Sequence, residues 1–543
     1  MLEKVQADRR KKLEQIRQLG IDPFGGRYTS NEPIANILDR YQEDTEGQTA
    51  DAAGRLILIR DMGKMMFCHL RDESGQMQIA FRKNALDEQS WKLAKLLDLG
   101  DIVAASGMLQ KSRTGEITIW ADKLTLLTKS LMPMPEKFHG LQDVETRYRR
   151  RYLDLMTNPQ SLNNFKKRIG IIEHFRGFLK DKGFSEVETP MMQPVYGGAA
   201  ARPFTTHHNA LDADLFLRIS PETYLKRLLV GGMEKIFEIN RNFRNEGIDT
   251  SHNPEFTMME LYEAYADYED MMELTENLVS SAAEKFLDSV PQQVADLTAA
   301  VEAEKEKDEE NFSQERLDEL NRCLAVVAEA EGLIAEGKIA LPYGDIVLDY
   351  TTPWRRAKYA DLLKEHAGVD MDDIDAVRAK AKELGIEPEN KDDAVVVNEV
   401  FEETVEEHLV QPTFVIDYPA DICPLTRRKT DDPSIALRFE AFAATMELAN
   451  AYTELNDPDI QEENFRRQVR GEAGDETMRV MDEDFILAMR HGMPPAGGLG
   501  VGIDRIAMLL TNTQSIRDVI LFPQLRPGAA KPPADKPLQD AAE

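Results

Sequence analysis

Cysteine is scarce in this chain: Cys68, Cys323 and Cys423 stand singly and far apart, with no C-x-x-C pair. That spacing excludes a disulfide framework and a cysteine-built zinc site, and it fits a reducing compartment. Long apolar runs are missing too. None approaches the roughly 20 residues that span a bilayer, so no membrane partner is expected. The first residues form a charged, helix-forming stretch without an apolar h-region, which reads against secretion and for a cytoplasmic protein. Positive charge is outnumbered, 66 Lys and Arg against 97 Asp and Glu, giving a net charge of −31. This acidity argues against indiscriminate polyanion binding, although local basic clusters can still hold a phosphate backbone. Two such clusters exist, Arg9-Arg10-Lys11-Lys12 and Arg147 with Arg149-Arg150-Arg151, and each alone reads as a solvated helix face. Internal repeats and a Walker lysine motif are absent.

What remains is a globular composition, 42% hydrophobic and 30% charged, spread over 543 residues, which is too long for one ordinary core. Residues 1–50 read as a helical extension that ends in loop. From 51 to 130 the period shortens to strands at Arg55–Arg60, Met66–Arg71, Gln76–Phe81, Ile102–Ser106 and Ile117–Ala121, with a helix near Glu88–Leu97. Five strands and one helix fit an OB-fold β-barrel; another small α+β domain is the alternative. A linker over 131–163 opens with Leu131-Met132-Pro133-Met134-Pro135. A larger α+β unit then runs over 164–527, with helices at Asn164–Lys182, Tyr224–Leu229 and Asp267–Phe286 beside antiparallel strands. Within it, about 291–338, an Ala- and Glu-rich stretch predicts an exposed helical hairpin, either a tolerated insertion or a partner-binding arm. The Ala-, Pro- and Lys-containing tail, 528–543, is expected to be disordered.

Three segments carry chemistry. Phe243-Arg244-Asn245-Glu246 and His252-Asn253-Pro254-Glu255-Phe256 read as strand, loop, strand. Alternation then puts Phe256, Met258, Glu260 and Tyr262 on one face. Arginine's fork suits a phosphate that gains charge in a displacement, and an aromatic beside it can stack a purine. A solvated Arg–Glu pair and a core Phe are the competing readings. The second segment, Arg438-Phe439-Glu440 with Glu447, Asn450, Tyr452 and Glu454, reads as two strands joined near Ala443-Ala444-Thr445. Glu440 and Glu447 could hold Mg²⁺, which prefers a few carboxylates plus substrate phosphates, or could pair with nearby arginines. Asn450, Tyr452 and Glu454 alternate onto one face that is either solvated or a binding surface. Third, Gly498-Leu499-Gly500-Val501-Gly502-Ile503-Asp504-Arg505 lacks the βαβ context of a dinucleotide fingerprint. Its glycines would instead let Arg505 sit close against a nucleotide. Arg244, Phe256 and Arg505 together predict an ATP site outside the P-loop class.

These segments resemble the signature motifs of class II aminoacyl-tRNA synthetases. The first motif resembles Gly183-Phe184-Ser185-Glu186-Val187-Glu188-Thr189-Pro190, the second Phe243-Arg244-Asn245-Glu246, and the third Gly500-Val501-Gly502-Ile503-Asp504-Arg505. Further strings are similar to the bacterial-type lysyl-tRNA synthetases: Lys137-Phe138-His139-Gly140-Leu141-Gln142-Asp143, Gly197-Gly198-Ala199-Ala200-Ala201-Arg202-Pro203-Phe204, His207-His208-Asn209-Ala210-Leu211-Asp212 and Asn450-Ala451-Tyr452-Thr453-Glu454-Leu455-Asn456-Asp457.

The resemblance implies an α+β chain, an OB-fold anticodon domain followed by a class II catalytic domain on an antiparallel sheet flanked by helices, working as a homodimer. It implies activation of L-lysine with ATP and Mg²⁺, then transfer to the 3′ end of tRNA(Lys). Arg244 would hold the α-phosphate, Phe256 and Arg505 would sandwich adenine, and Glu246, His252 and Asn253 would lie nearby. Glu440 and Glu447 would bind Mg²⁺. Gly198 and Glu222 would meet the α-amino group of lysine, Asn450 its carboxylate, and Glu260, Tyr262, Tyr452 and Glu454 the side chain with its ammonium. Two carboxylates suit that ammonium on physical grounds as well, because a desolvated cation needs charged acceptors. In the barrel, Phe67 and Gln78 match residues used on the central anticodon uridine; His69 and Trp120 are further candidates. No role is expected of His207 and His208 beyond structure. The chain departs from the family pattern at the turn before Glu447, where glycine is usual, and at the 291–338 stretch. Two rivals are a paralogue that attaches a lysine-type amino acid to a protein, and a non-catalytic RNA-binding homologue. The first typically lacks the anticodon domain; the second should have lost motif arginines or carboxylates, and all are present.

Overall fold

The computed structural model describes residues 2–29, 31–43, 47–134, 143–199, 201–307, 312–389, 391–469 and 481–526. The 137–142 string, Ala200 and the tail expected to be disordered lie outside the described residues. The chain divides into two compact units, residues 1–142 and 143–543.

In the first unit, β1 (Thr49–Asp61), β2 (Met65–Arg71), β3 (Gln76–Arg82), β4 (Ile102–Lys111) and β5 (Ile117–Thr128) close a barrel in the order β1-β2-β3-β5-β4. The two-residue period is visible in β2, where Met66, Cys68 and Leu70 are buried while Phe67 and His69 face outward, half-buried. A helix at Glu88–Ala94 starts at Asp87, whose side chain accepts from the Ser90 amide at 2.8 Å, and adds Trp91 and Leu93 to the barrel core. The first basic cluster is not a purely solvated face. Arg9 is only 7% exposed and donates to the carbonyls of Leu99, Ser130 and Met132, because a buried guanidinium needs acceptors for its five donors.

The second unit contains β6 (Ser185–Glu186), β7 (Met192–Gln193), β8 (Phe204–His208), β9 (Ala213–Leu217), β10 (Lys235–Phe243), β11 (Glu255–Ala264), β12 (Ala340–Tyr343), β13 (Ile346–Asp349), β14 (Arg355–Lys358), β15 (Thr413–Pro419), β16 (Ile435–Ala443), β17 (Met446–Thr453) and β18 (Ala496–Gly502). Eight of them form one sheet in the order β14-β15-β16-β17-β18-β11-β10-β6. Its interior pairs are antiparallel and its two edge pairs, β14–β15 and β10–β6, are parallel. One face packs Met259, Leu261, Phe439, Ala441, Leu448 and Val501 into a core with the helices Pro159–Asp181, Tyr268–Glu284 and Ile503–Leu510. The opposite face carries the polar residues.

The first of these helices begins five residues earlier than expected. Asn158 accepts from the Gln160 amide at 3.1 Å, and Pro159 occupies the first turn, where its missing N–H costs nothing. Residues 144–157, read as linker, also form two short helices, Val144–Arg149 and Arg151–Thr157. Their basic residues are not solvated as a set: Arg151 is 1% exposed and pairs with Asp154 at 2.7 Å, and Arg147 reaches the same carboxylate at 2.9 Å. The Ala- and Glu-rich stretch forms the helices Val290–Lys305 and Gln314–Ala335, and is less exposed than the charge pattern implied. Val290, Val326, Val327 and Ala330 join the main core, and most charges line the outer faces; Glu304, which is buried, accepts from Lys307 at 2.6 Å.

The glycine-free turn between β16 and β17 places both Ala444 (φ 48°) and Thr445 (φ 63°) in the left-handed region. This suits a tight hairpin, but each L-residue there costs about 1–2 kcal/mol. Backbone bonds hold the turn: the Ala444 amide donates to Val410 at 2.7 Å and the Thr445 amide to Leu409 at 3.0 Å. Thr445 is exposed and β-branched, so Thr445→Gly should raise unfolding stability by about 1 kcal/mol. Thermal melting checks this; an unchanged or lower midpoint would show that the backbone clamp already absorbs the strain.

Candidate active site

On the polar face of the sheet lies an open cavity, lined among others by Arg244, Glu246, His252, Phe256, Glu447 and Arg505. Arg244 follows the last residue of β10, and its guanidinium stands 5.2 Å from the Phe256 ring centre across the hairpin. Its Nε is buried with no hydrogen-bond partner. A buried donor in that state is expensive unless a ligand completes it, and a phosphate oxygen would. Arg505 sits in the first turn of the helix Ile503–Leu510. Its Nη1 donates to the Glu447 carbonyl at 2.7 Å, and its Nη2 lies 3.4 Å from His252 Nε2. His252 Nδ1 is in turn 2.9 Å from Asp249. Asp504 pins the start of the helix to β11, accepting from the Thr257 amide at 2.7 Å and from Arg168 at 2.6 Å. Arg168 comes from the helix Pro159–Asp181 and had no signal in the local sequence. Asn253 lines the cavity but is already engaged, donating to the Glu255 carbonyl at 2.5 Å and accepting from the Gln524 amide at 3.1 Å.

The two acidic residues of β16 and β17 share this face for a reason that strict alternation does not give. Counting by twos would put Glu447 with Ala449 and Ala451, away from Asn450. The pairs Ala441↔Ala449 and Phe442↔Glu447 leave Leu448 as an extra residue, and this bulge returns Glu447 to the polar face. Glu440 accepts from Tyr418 at 2.7 Å and from Asn450 at 3.2 Å, and is ion-paired with Arg438. Burial raises its pKa; Arg438 opposes the shift and Glu447 adds to it. Glu447 pairs with Arg505 at 3.4 Å and remains 39% exposed toward the cavity. Both arginine pairings foreseen as alternatives are therefore present. Among the described residues no group of three His, Cys, Asp or Glu could hold a metal. Two carboxylates on the polar face, Glu447 lining the cavity and Glu440 on the neighbouring strand, fit Mg²⁺ shared with substrate oxygens, and do not fit a protein-caged ion.

Farther along the same strands, past Met258 and Gly500, lies a second cluster that does not line the cavity. Glu260, Tyr262, Glu454 and Glu222 are each under 5% exposed. Ser220 donates to Glu260 at 2.8 Å, and Tyr262 donates to its other oxygen at 3.4 Å. Burial, helped by the charge of Glu222, pushes Glu260 up to about 8. Burial also raises Glu454, with Lys226 opposing. Asn450 and Tyr452 are held by Arg438, whose Nε donates to Asn450 at 3.2 Å and whose guanidinium lies 5.4 Å from the Tyr452 ring. Two glycines make room. At Gly198 (φ 85°) a Cβ would come within 2.8 Å of Ser220 and Glu222. At Gly498 a Cβ would lie 1.9 Å from Glu454 Oε1. Lys226, Ser220 and Arg168 escaped the sequence reading; only the i, i+4 spacing of Glu222 and Lys226 could have flagged the first.

On the barrel, Phe67 stands edge-on to Trp120 at 5.9 Å, and Arg82 lies 3.8 Å from the Trp120 ring centre. Gln78 is 8% exposed; its amide donates to Glu116 at 2.6 Å and accepts from Thr118 at 2.9 Å. His69 pairs with the same Glu116 at 3.0 Å. His207 is held by Asp214 at 2.8 Å, on the outer hairpin β8–β9.

An antiparallel sheet with arginines from a strand end and from a glycine-rich strand–helix junction, all facing one open cavity beside an aromatic ring, defines a class II aminoacyl-tRNA synthetase. The family described as tRNA synthetases class II (D, K and N) matches residues 143–526, and the family described as OB-fold nucleic acid binding domain matches residues 52–127. Three similar proteins carry the name lysine–tRNA ligase. The one from Pelotomaculum thermopropionicum is 48% identical over 526 residues (96% of this chain, 94% of the relative). That of Carboxydothermus hydrogenoformans is 47% identical over 524 residues (96% and 97%), and that of Staphylococcus saprophyticus 45% over 531 (95% and 97%). The chain belongs to the lysine–tRNA ligase family.

Proposed function

We propose that this chain couples L-lysine and ATP, with Mg²⁺, to lysyl-adenylate and pyrophosphate, and then passes lysine to the 3′ end of tRNA(Lys). The observation that carries the choice of amino acid is the buried cluster of three carboxyl groups, Glu222, Glu260 and Glu454, ion-paired with a single buried cation, Lys226. A dibasic amino acid supplies the missing cations; aspartate would be repelled.

In this reading Phe256 and Arg505 take the two sides of adenine, with Glu246, His252 and Asn253 at the cavity rim. Arg244 donates to the α-phosphate. A lysine carboxylate oxygen forms the new bond to the α-phosphorus as the bond to the pyrophosphate oxygen breaks. The charge that builds on the α-phosphate oxygens in this displacement meets Arg244, so catalysis is positioning and charge stabilisation. Glu440 and Glu447 would hold Mg²⁺, which would neutralise pyrophosphate charge. Glu222 and Gly198 meet the substrate's α-amino group, Asn450 its carboxylate, Glu260, Tyr262 and Glu454 its ammonium, and Tyr452 lines the slot. In the second step the 3′-terminal hydroxyl of tRNA attacks the lysyl carbonyl and AMP leaves.

The reading assigns anticodon binding to 51–130, with Phe67 and Gln78 on the central uridine, and catalysis to 164–527. It takes the working form to be a cytoplasmic homodimer. The free state of Cys68, Cys323 and Cys423 supports a reducing compartment, and among the described residues no helix is long and apolar enough to cross a membrane.

ATP–pyrophosphate exchange across lysine, β-lysine, asparagine and aspartate tests the activation step, followed by charging of tRNA. Exchange with lysine alone is expected. Preference for β-lysine would favour the protein-modifying paralogue, and no exchange by folded protein would favour the non-catalytic one. Phe67→Ala should raise KM for tRNA about tenfold through a lost base stack, leaving exchange untouched. A change in exchange would show that Phe67 acts on the fold.

A further inference from the structure

Lys226 is the charged group in the amino-acid slot to which the chemistry above gives no task. It projects from the helix Glu222–Val230, one turn after Glu222, and is 0% exposed. Its Nζ lies 2.5 Å from Glu222 Oε1 and is also ion-paired with Glu454 Oε2. The second oxygen of Glu454 has no hydrogen-bond partner and faces the bare Cα of Gly498. A side chain at 498 would collide with that oxygen, so glycine is what lets the carboxylate stand there.

The surroundings make the lysine's charge matter. β11 contributes Glu260 and Tyr262, the β17 strand and its continuation contribute Tyr452 and Glu454, and the helix contributes Glu222. Arg218, also fully buried, is ion-paired with Glu238 at 2.7 Å, and its charge, with that of Arg244, partly offsets the burial of Glu260. Fully ionised, the three glutamates and Lys226 sum to −2, which two ammonium groups on one substrate would cancel. Without Lys226, Glu222 and Glu454 would be neighbouring buried carboxylates with no cation between them, and one would take up a proton.

We propose that Lys226 is a positioning residue for amino-acid recognition: it binds one oxygen each of Glu222 and Glu454, supplies the cation between them, and orients Glu454 Oε1 for the substrate's side-chain ammonium. The proposal rests on the lysine reading of this slot. Lys226 touches no reacting atom; it acts through the two glutamates. Its removal therefore adds a proton that lysine must displace on binding. The resulting defect is worst at low pH and fades as pH rises and the extra carboxyl ionises.

The test measures KM for lysine and for ATP, and kcat, in pyrophosphate exchange by full-length wild type, K226M and K226Q. The range runs from about pH 6.5 to about pH 8.5, where a shift of one pKa unit changes apparent affinity about tenfold. Near neutral pH, KM for lysine should rise about tenfold or more in both variants, with KM for ATP unchanged. Its pH dependence should be steeper than that of wild type by about one proton. Parallel profiles for variant and wild type, whatever the offset, would overturn the proposal, because a purely structural role moves stability without adding a titrating group. Loss of ATP binding in both variants would also overturn it, assigning Lys226 to the fold. Absence of lysine-dependent exchange in wild type would instead count against the function proposed above.

Discussion

Arg244→Ala is expected to lower lysine-dependent pyrophosphate exchange by about 10³, mainly in kcat, with the fold intact. The magnitude follows from removing a preorganised donor aimed at charge that builds in the transition state, an effect of about 10²–10³ for one donor and larger for an arginine facing a phosphoryl group. Little stability should go with it: the Arg244 Nε has no hydrogen-bond partner, and the stack on Phe256 is worth about 1 kcal/mol at most in a half-exposed setting. Arg244→Lys should recover only a small part of the rate, since an ammonium cannot offer two parallel donors to one phosphate. Steady-state exchange alongside thermal melting separates the two effects. A variant with near-normal kcat and a raised KM for ATP would make Arg244 a uniform binding group and remove it from the transition state.

The second large effect is expected for Glu454→Gln. The change keeps the shape and removes one charge from a fully buried cluster in which Lys226 already claims one oxygen. A buried charge pair that loses one member costs about 2–5 kcal/mol, so kcat/KM for lysine should fall by about 10²–10³. KM for ATP should change by no more than about twofold, because the nucleotide cavity ends at Met258 and Gly500, short of Glu454. Equal losses for both substrates would sink the assignment of this carboxylate to the amino acid. Exchange measured over a range of lysine at saturating ATP, and the reverse, gives the comparison directly.

The sheet face was legible in the sequence because the period of a strand is two wherever nothing interrupts it. Phe256, Met258, Glu260 and Tyr262 do fall on one side of β11, with Met259 and Leu261 in the core on the other. The same rule failed at Glu447, where a bulge at Leu448 shifts the register; hydrogen bonding to a partner strand decides that, and the residue names do not announce it. The helix at Pro159 carried its own start signal in Asn158-Pro159, yet the proline-rich approach at 131–135 made the whole stretch look like linker. The ties that complete the site were hardest to foresee. Arg168 on Asp504, and Lys226 on Glu454, join positions hundreds of residues apart, so no local window contains both partners. Gln78 was legible as a barrel residue, but its bonds to Glu116 and Thr118 depend on how β3 and β5 pair.

The place of β18 in the sheet has a consequence for how the protein is made. It is among the last strands synthesised, yet it lies between β17 and β11 and hydrogen-bonds to both. Until residues 496–502 leave the ribosome, β11 and β17 each present an open edge, and the sheet exists as two unjoined halves. At about 5–20 residues per second, β11 waits on the order of ten seconds or more for its neighbour. The barrel, complete by Thr128, has no such wait. Nascent chains stalled just short of β18 should therefore carry a folded barrel ahead of a second unit that is sticky, protease-sensitive and dependent on chaperones, and a few further residues should close it in one cooperative step.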